Sequence, residues 1–97
     1  MTRLAFAPRA LADLERLSEF LLEHHPAAAQ ATGALLIDGL QILQRHPLVG
    51  RGAEQGLREL MISRGRSGYL ALYRYDALRD QVLVLAVRHQ REGGYIG

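Results

Sequence analysis

Residues 57–95 read LRELMISRGRSGYLALYRYDALRDQVLVLAVRHQREGGY, and they divide into three consecutive strands and a short polar tail. Gln81–Arg88 is the plainest strand. Val82, Val84 and Ala86 project to one side, and Leu83, Leu85 and Val87 to the other. Apolar residues on both faces predict a central strand covered on each side. Gly68–Tyr75 alternates Tyr69, Ala71, Tyr73 and Tyr75 against Leu70, Leu72 and Arg74. Asp76–Asp80 is a hairpin-length connection between these two strands. Leu57–Ile62 forms a further strand, joined to the next by a turn at Ser63–Ser67.

On the N-terminal side, His46–Gly56 holds one Pro and three Gly and reads as loop. The spacing of Ala28, Ala31, Leu35 or Leu36, Leu40 and Leu43 predicts a helix from Ala27 to Arg45. Gly33 and Gly39 each cost such a helix roughly 1 kcal/mol relative to Ala, and small residues there let a neighbour approach closely. A second amphipathic pattern, Leu11, Leu14, Leu17 or Ser18, Leu21 and Leu22, predicts a helix from Pro8 to about His24. Pro8 suits a first helical turn, His24 and His25 suit the last, and Pro26 ends it. Arg3–Phe6 is left as a short opening strand.

The expected architecture is an α+β domain spanning residues 1–97. An N-terminal strand leads into a two-helix antiparallel hairpin and then a three-stranded antiparallel meander, all in one sheet. The first strand is expected at or near an edge, and pairing parallel to a later strand is one arrangement open to it.

Composition narrows the functional classes. A hydrophobic share of 48% is enough to bury a core. The longest apolar runs fall well short of a membrane span, and no apolar segment follows a basic start as in a signal peptide. With no cysteine, disulfides and thiolate metal sites are excluded. The expected location is the cytoplasm. Charge is uneven: residues 1–56 carry five Arg against six acids, and residues 57–97 carry seven Arg against four. All the basic residues are Arg, whose planar fork binds phosphate or carboxylate at two points.

The tail holds the groups suited to chemistry. His89 follows the last strand directly, flanked by Arg88 and Arg91, with Tyr95 beyond. An imidazole can pass protons, a guanidinium can stabilise a phosphorane, and a phenol can stack on a base. Metal-free RNA cleavage, with the 2′-hydroxyl as nucleophile, uses these residue types. A structural tail, with His89 bonded to backbone and Tyr95 packed, accounts for the same residues. Arg58, Arg64, Arg66 and Arg74 form a second basic set on or between the strands, fitted to phosphate or an acidic partner; a solvated strand face is the plainer reading. His24 and His25 are adjacent, His46 and His89 are isolated, and no HExxH pattern occurs, so no metal is expected. The glycines form no nucleotide-binding motif and no GxSxG elbow exists, so no cofactor is expected.

Three groups of residues carry a family likeness. They are Phe6-Ala7-Pro8-Arg9-Ala10 leading into Asp13-Leu14; the Leu57-Arg58-Glu59-Leu60 strand followed by Ser67 to Tyr75; and Val82 to Glu92 closing the chain. In their order and spacing they resemble the RelE/ParE family of type II toxin–antitoxin toxins over essentially the full length. The resemblance implies a small α+β toxin that forms a hetero-oligomer with a cognate antitoxin, one segment of which wraps the toxin and covers its working surface. RelE-like members cleave mRNA in the ribosomal A site, and ParE-like members block DNA gyrase. For a RelE-like enzyme the matching residues are His89, Arg91 and Tyr95 as catalytic groups, aided by Arg58 or Arg64. Arg66, Arg74 and Arg88 are further binding candidates. Leu70, however, stands directly after Gly68-Tyr69, where RelE-like enzymes tend to carry Arg. ParE-like gyrase inhibition is therefore the preferred expectation. The mRNA endonuclease is the first alternative, and a non-toxic binding module is the second.

Overall fold

The chain opens with strand β1, Arg3–Phe6, and turns at Ala7 into helix α1, Pro8–His24. A computed structural model describes residues 1–64 and 67–95, and of Ser63, Arg64 and Ser67 the backbone alone. Ala7 is extended (φ −66, ψ 153), as a following proline requires. The core side of α1 carries Ala10, Leu14, Leu17 and Leu21, whereas Leu11 and Leu22 are exposed, so the apolar stripe lies beside the expected one. Helix α2, Pro26–Gln41, starts immediately on a proline at its first turn and gives way to a 3-10 turn at Ile42–Gln44. Leu36 and Leu40 are the buried residues of α2 and Leu43 is that of the 3-10 turn, while Ala28 and Ala31 face outward. Gly39 lets α2 close on the sheet: a Cβ there would lie 2.9 Å from the Ile62 side chain. Among the described residues no helix is long and apolar enough to cross a membrane.

The sheet corrects the expected three-stranded meander. Among the described residues it has five strands and is mixed, in the order β1-β5-β4-β3-β2, with β2 at Arg51–Gly52, β3 at Arg58–Arg64, β4 at Ser67–Asp76 and β5 at Gln81–His89. The fold remains α+β. β1 lies at an edge and pairs parallel to β5, Arg3 to Phe6 beside Gln81 to Val84. The helical hairpin returns the chain to the starting end of β1, which makes this direction available. β2 falls in the stretch expected to be loop. Its two residues pair antiparallel with Glu59 and Arg58. Gly50 sets up this pairing, because a Cβ there would sit 2.7 Å from the fully buried Tyr73 ring, and its N–H donates to the Tyr73 hydroxyl at 2.9 Å.

Both helices pack on one face of the sheet, against Ile62, Tyr69, Ala71, Tyr73, Val82, Val84 and Val87. The other, helix-free face is called the outer face below. β5 does not alternate throughout. Leu72 is opposite Ala86 but Tyr73 is opposite Val84, so Leu85 is an extra residue and forms a bulge. Cross-strand partners share a face, so beyond the bulge Val87 and His89 turn to the helices and Ala86 and Arg88 to the outer face. Past Phe6 there is no β1 left to pair with β5. Helix α1 supplies the missing contacts: buried Asp13 accepts the Val87 N–H at 2.9 Å, and Arg16 donates to the Val87 carbonyl at 3.5 Å.

Candidate functional site

The tail leaves β5 through a turn closed by its own side chains. The Glu92 carboxylate accepts the His89 N–H at 2.8 Å and pairs with Arg16 at 3.0 Å. Arg88 Nη1 donates to the Glu92 carbonyl at 2.6 Å, and the Gln90 N–H donates to the Gly68 carbonyl at 2.9 Å. The turn sends the chain back across the outer face through Gly93 and Gly94.

Tyr95 arrives there on a built arrangement. Its hydroxyl donates to Glu59 Oε2 at 2.6 Å, and the Arg88 guanidinium lies 5.1 Å from its ring centroid. Arg51, on β2, donates to Glu59 Oε1 from Nε at 3.1 Å and also from Nη2. Glu59 itself is held on β3 opposite Leu72. Burial raises the Glu59 carboxyl, but the Tyr95 and Arg51 hydrogen bonds with the Arg51 and Arg88 charges outweigh it and hold the carboxyl below its ordinary range. Burial, then the Glu59 contact, pushes the Tyr95 phenol well above its ordinary value. At neutral pH the outer face therefore holds an ionised carboxylate, a neutral phenol and two guanidiniums.

His89 lies on the other side. Its ring meets Tyr69 edge-on, with centroids 5.1 Å apart, and faces a cavity of about 740 Å³ lined by Leu17, Phe20, His25, Arg91 and Glu92. Burial, then the Arg91 charge, lowers its pKa, while Glu92 acts in the opposite sense. The Arg91 N–H donates to Nδ1 at 3.1 Å. The neutral ring therefore carries its proton on Nε2, where it donates and does not accept. In this arrangement His89 is a hydrogen-bond donor toward the cavity and lacks an open lone pair for a general base.

The structure thus brings His89 and Arg91 together and places Tyr95 on the opposite face. The arginine beside Tyr95 is Arg88. Arg58 shares the helix-side face with Tyr73 and donates Nη1 to the Leu48 and Gly50 carbonyls at 3.2 and 2.9 Å, so it fastens the loop before β2. Arg74 is exposed on the outer face, four positions along β4 from Leu70, which is roughly 13 Å at strand rise. Arg64 ends β3 with its backbone paired to Ser67. The Arg64 side chain and the whole of Arg66 lie outside the described residues. Among the described residues no group of three or more His, Asp or Glu side chains is placed to hold a metal ion.

Sequence reasoning missed Glu59, Arg51, Arg16 and Glu92. Strand alternation alone puts Arg58 and Glu59 on opposite faces, and that signal was available. The bulge, which decides the face of His89, left no such signal.

Residues 4–93 match the family described as ParE toxin of type II toxin-antitoxin system, parDE. The chain belongs to the RelE/ParE family of toxins. It is thus a type II toxin–antitoxin toxin. Toxin RelE3 of Caulobacter vibrioides is 35% identical over 92 residues, 95% of this chain and 98% of that protein. Toxin RelE1 of the same organism is 39% identical over 84 residues, 87% of this chain and 88% of that protein. Among solved structures, the toxin shares its fold with the chromosomal ParDE system of P. aeruginosa. There the TM-score is 0.76 at 22% identity, covering 92% of this chain and 96% of that one. The RelBE2 toxin–antitoxin complex of Mycobacterium tuberculosis is similar at a TM-score of 0.62 and 26% identity, covering 92% of this chain and 98% of that one. The matched family carries the ParE name and the curated relatives carry RelE names, so the names divide over the target.

Proposed function

We propose that the toxin arrests growth by binding and inhibiting DNA gyrase, without cutting RNA. One observation carries the non-nucleolytic half of this reading: the Tyr95 hydroxyl and the Arg51 fork are both spent on Glu59, on the face opposite His89. A metal-free ribonuclease needs its base, its acid and its phosphate donors around one scissile bond. Here the imidazole and the phenol have the sheet between them, and Leu70 stands where an arginine would add to the outer face. The gyrase half rests on the family that residues 4–93 match and on the ParE-like look of Leu72-Tyr73-Arg74 and Val87 to Arg91. Purified toxin should stall gyrase in a supercoiling assay and leave mRNA whole on programmed ribosomes. Cleavage in the A site that is lost in His89→Ala would refute it.

The second reading is ribosome-dependent mRNA cleavage. The RelE names of the two bacterial relatives favour it. It requires the tail to rearrange, because His89, Arg91 and Tyr95 do not converge as they stand.

We also propose a cognate antitoxin as partner, in a hetero-oligomer. Support comes from the solved neighbours, which are toxin–antitoxin systems or complexes. An apolar groove of about 390 Å³ between α1, α2 and β1, lined by Leu4, Phe6, Leu14, Leu21, Leu36 and Ile37, suits an amphipathic segment. Co-expression with the product of the neighbouring reading frame should restore growth and yield a co-purifying complex. Toxicity that no neighbouring frame relieves counts against this pairing.

A further inference from the structure

We propose that Glu59 determines the specificity of the outer face: its carboxylate occupies the place of a phosphate group between Arg51, Arg88 and Tyr95, and so excludes nucleic acid from that surface. The inference rests on the non-nucleolytic reading given above and names the residue that enforces it.

The donor set is the one a phosphate would need. A guanidinium fork gives two N–H groups to one oxygen, a phenol gives its O–H to the other at 2.6 Å, and a second guanidinium stands over the phenol ring. Forked arginine with an additional hydroxyl donor is a common way to hold a tetrahedral oxyanion. A carboxylate meets the same donors with two oxygens and one charge. Glu59 cannot readily leave, because its side chain is only 12% exposed and its backbone is fixed between β2 and β4. Arg51, by contrast, is 73% exposed, so solvent and solutes reach the fork. Arg88 keeps one unspent donor: its Nε is buried and has no hydrogen-bond partner among the described residues. The face is thus wired for an anion and already holds one. An incoming phosphate would meet the Glu59 charge at contact distance, and like charges juxtaposed at an interface disfavour the complex strongly.

The test measures binding of an unstructured RNA dodecamer by fluorescence anisotropy across a salt series, with wild type, Glu59→Gln and Glu59→Met. Both replacements keep the length of the side chain and remove its charge. Each should bind the RNA at least about tenfold more tightly than wild type at low salt. The slope of log affinity against log salt should steepen by about 1.4, two phosphate contacts at about 0.7 each on a single strand. Adding Arg51→Ala and Arg88→Ala to Glu59→Gln should return both quantities to wild-type values. Unchanged affinity in a folded Glu59 variant overturns the proposal. Wild type gives an independent check should the variants not fold. The outer-face NMR signals of Glu59, Arg88 and Tyr95 should stay still on adding RNA, and their movement overturns the assignment. Gyrase inhibition is measured alongside. RNA binding gained by the variants, with no gyrase inhibition by wild type, keeps the role of Glu59 and removes the gyrase reading. Gyrase inhibition with RNA affinity unchanged in the variants does the opposite.

Discussion

Replacing Asp13 by alanine removes the carboxylate that stands in for a missing strand beside β5. Asp13 is 3% exposed, and its Oδ2 accepts the Val87 N–H at 2.9 Å. Its Oδ1 lies 3.4 Å from Arg16 Nε. Alanine offers no acceptor, so the Val87 amide stays buried without a partner at a cost of about 1–3 kcal/mol. The lost ion pair adds little, because Arg16 is about a third exposed and keeps Glu92. We expect a total loss of about 2–3 kcal/mol, read as a lower urea midpoint at unchanged slope. In a chain of this size that lowers Tm by roughly 8–24 °C. Asp13→Asn keeps an acceptor oxygen and should lose about half as much or less. Amide exchange gives the local reading: Val87 should lose protection in Asp13→Ala, together with its neighbours toward His89. The reasoning fails if Asp13→Asn and Asp13→Ala are equally destabilised, or if Val87 exchange is unchanged.

Three further outcomes are expected. Gly39→Ala should lose about 1–2 kcal/mol, since the new methyl meets Ile62 at 2.9 Å, whereas Gly33→Ala, with nothing within 4 Å, should gain about 0.5–1 kcal/mol; thermal melts of the two compare them directly. Arg91→Ala should raise the His89 titration midpoint seen by NMR, because that charge disfavours the imidazolium; a folded state that resists protonating His89 also loses stability as pH falls through the ordinary imidazole range. Tyr95→Phe should destabilise the protein at pH 7 and not at low pH. The Glu59 carboxyl is depressed in the folded state, so what Tyr95 contributes through it is complete above the ordinary carboxylate range and disappears as pH falls through the folded value. Denaturation of both proteins between pH 7 and pH 3 measures the converging difference.

Much of the framework was legible because it depends on local rules. Pro8 marks the start of the first helix and Pro26 the break between the two, alternation marks β4, and apolar residues on both faces mark β5. The edge position of β1 is expected because two helices separate it from the strands that follow, so it cannot pair beside a sequence neighbour. What escaped detection depends on contacts distant in sequence. β2 is two residues in a Gly-rich stretch, paired only because Gly50 lies against Tyr73 and Arg58 holds the carbonyls of Leu48 and Gly50. The bulge at Leu85 looks like any other residue of an apolar strand, yet it decides which face each tail residue meets. Local pattern could place His89, Arg91 and Tyr95 at one end of the sheet. It could not divide them between two faces, nor show that Glu59 gathers Arg51 and Tyr95.

The extra residue in β5 has a consequence for descent as well as for shape. Loss of the single codon for Leu85 would restore strict alternation and leave every downstream side chain on its present face. With Leu85 kept in strict alternation instead, the imidazole would move to the side of Glu59, and the Arg88 guanidinium to the side of Tyr69. The bulge therefore absorbs a length change of one residue, so that a codon can be gained or lost at this point without exchanging the equipment of the two surfaces.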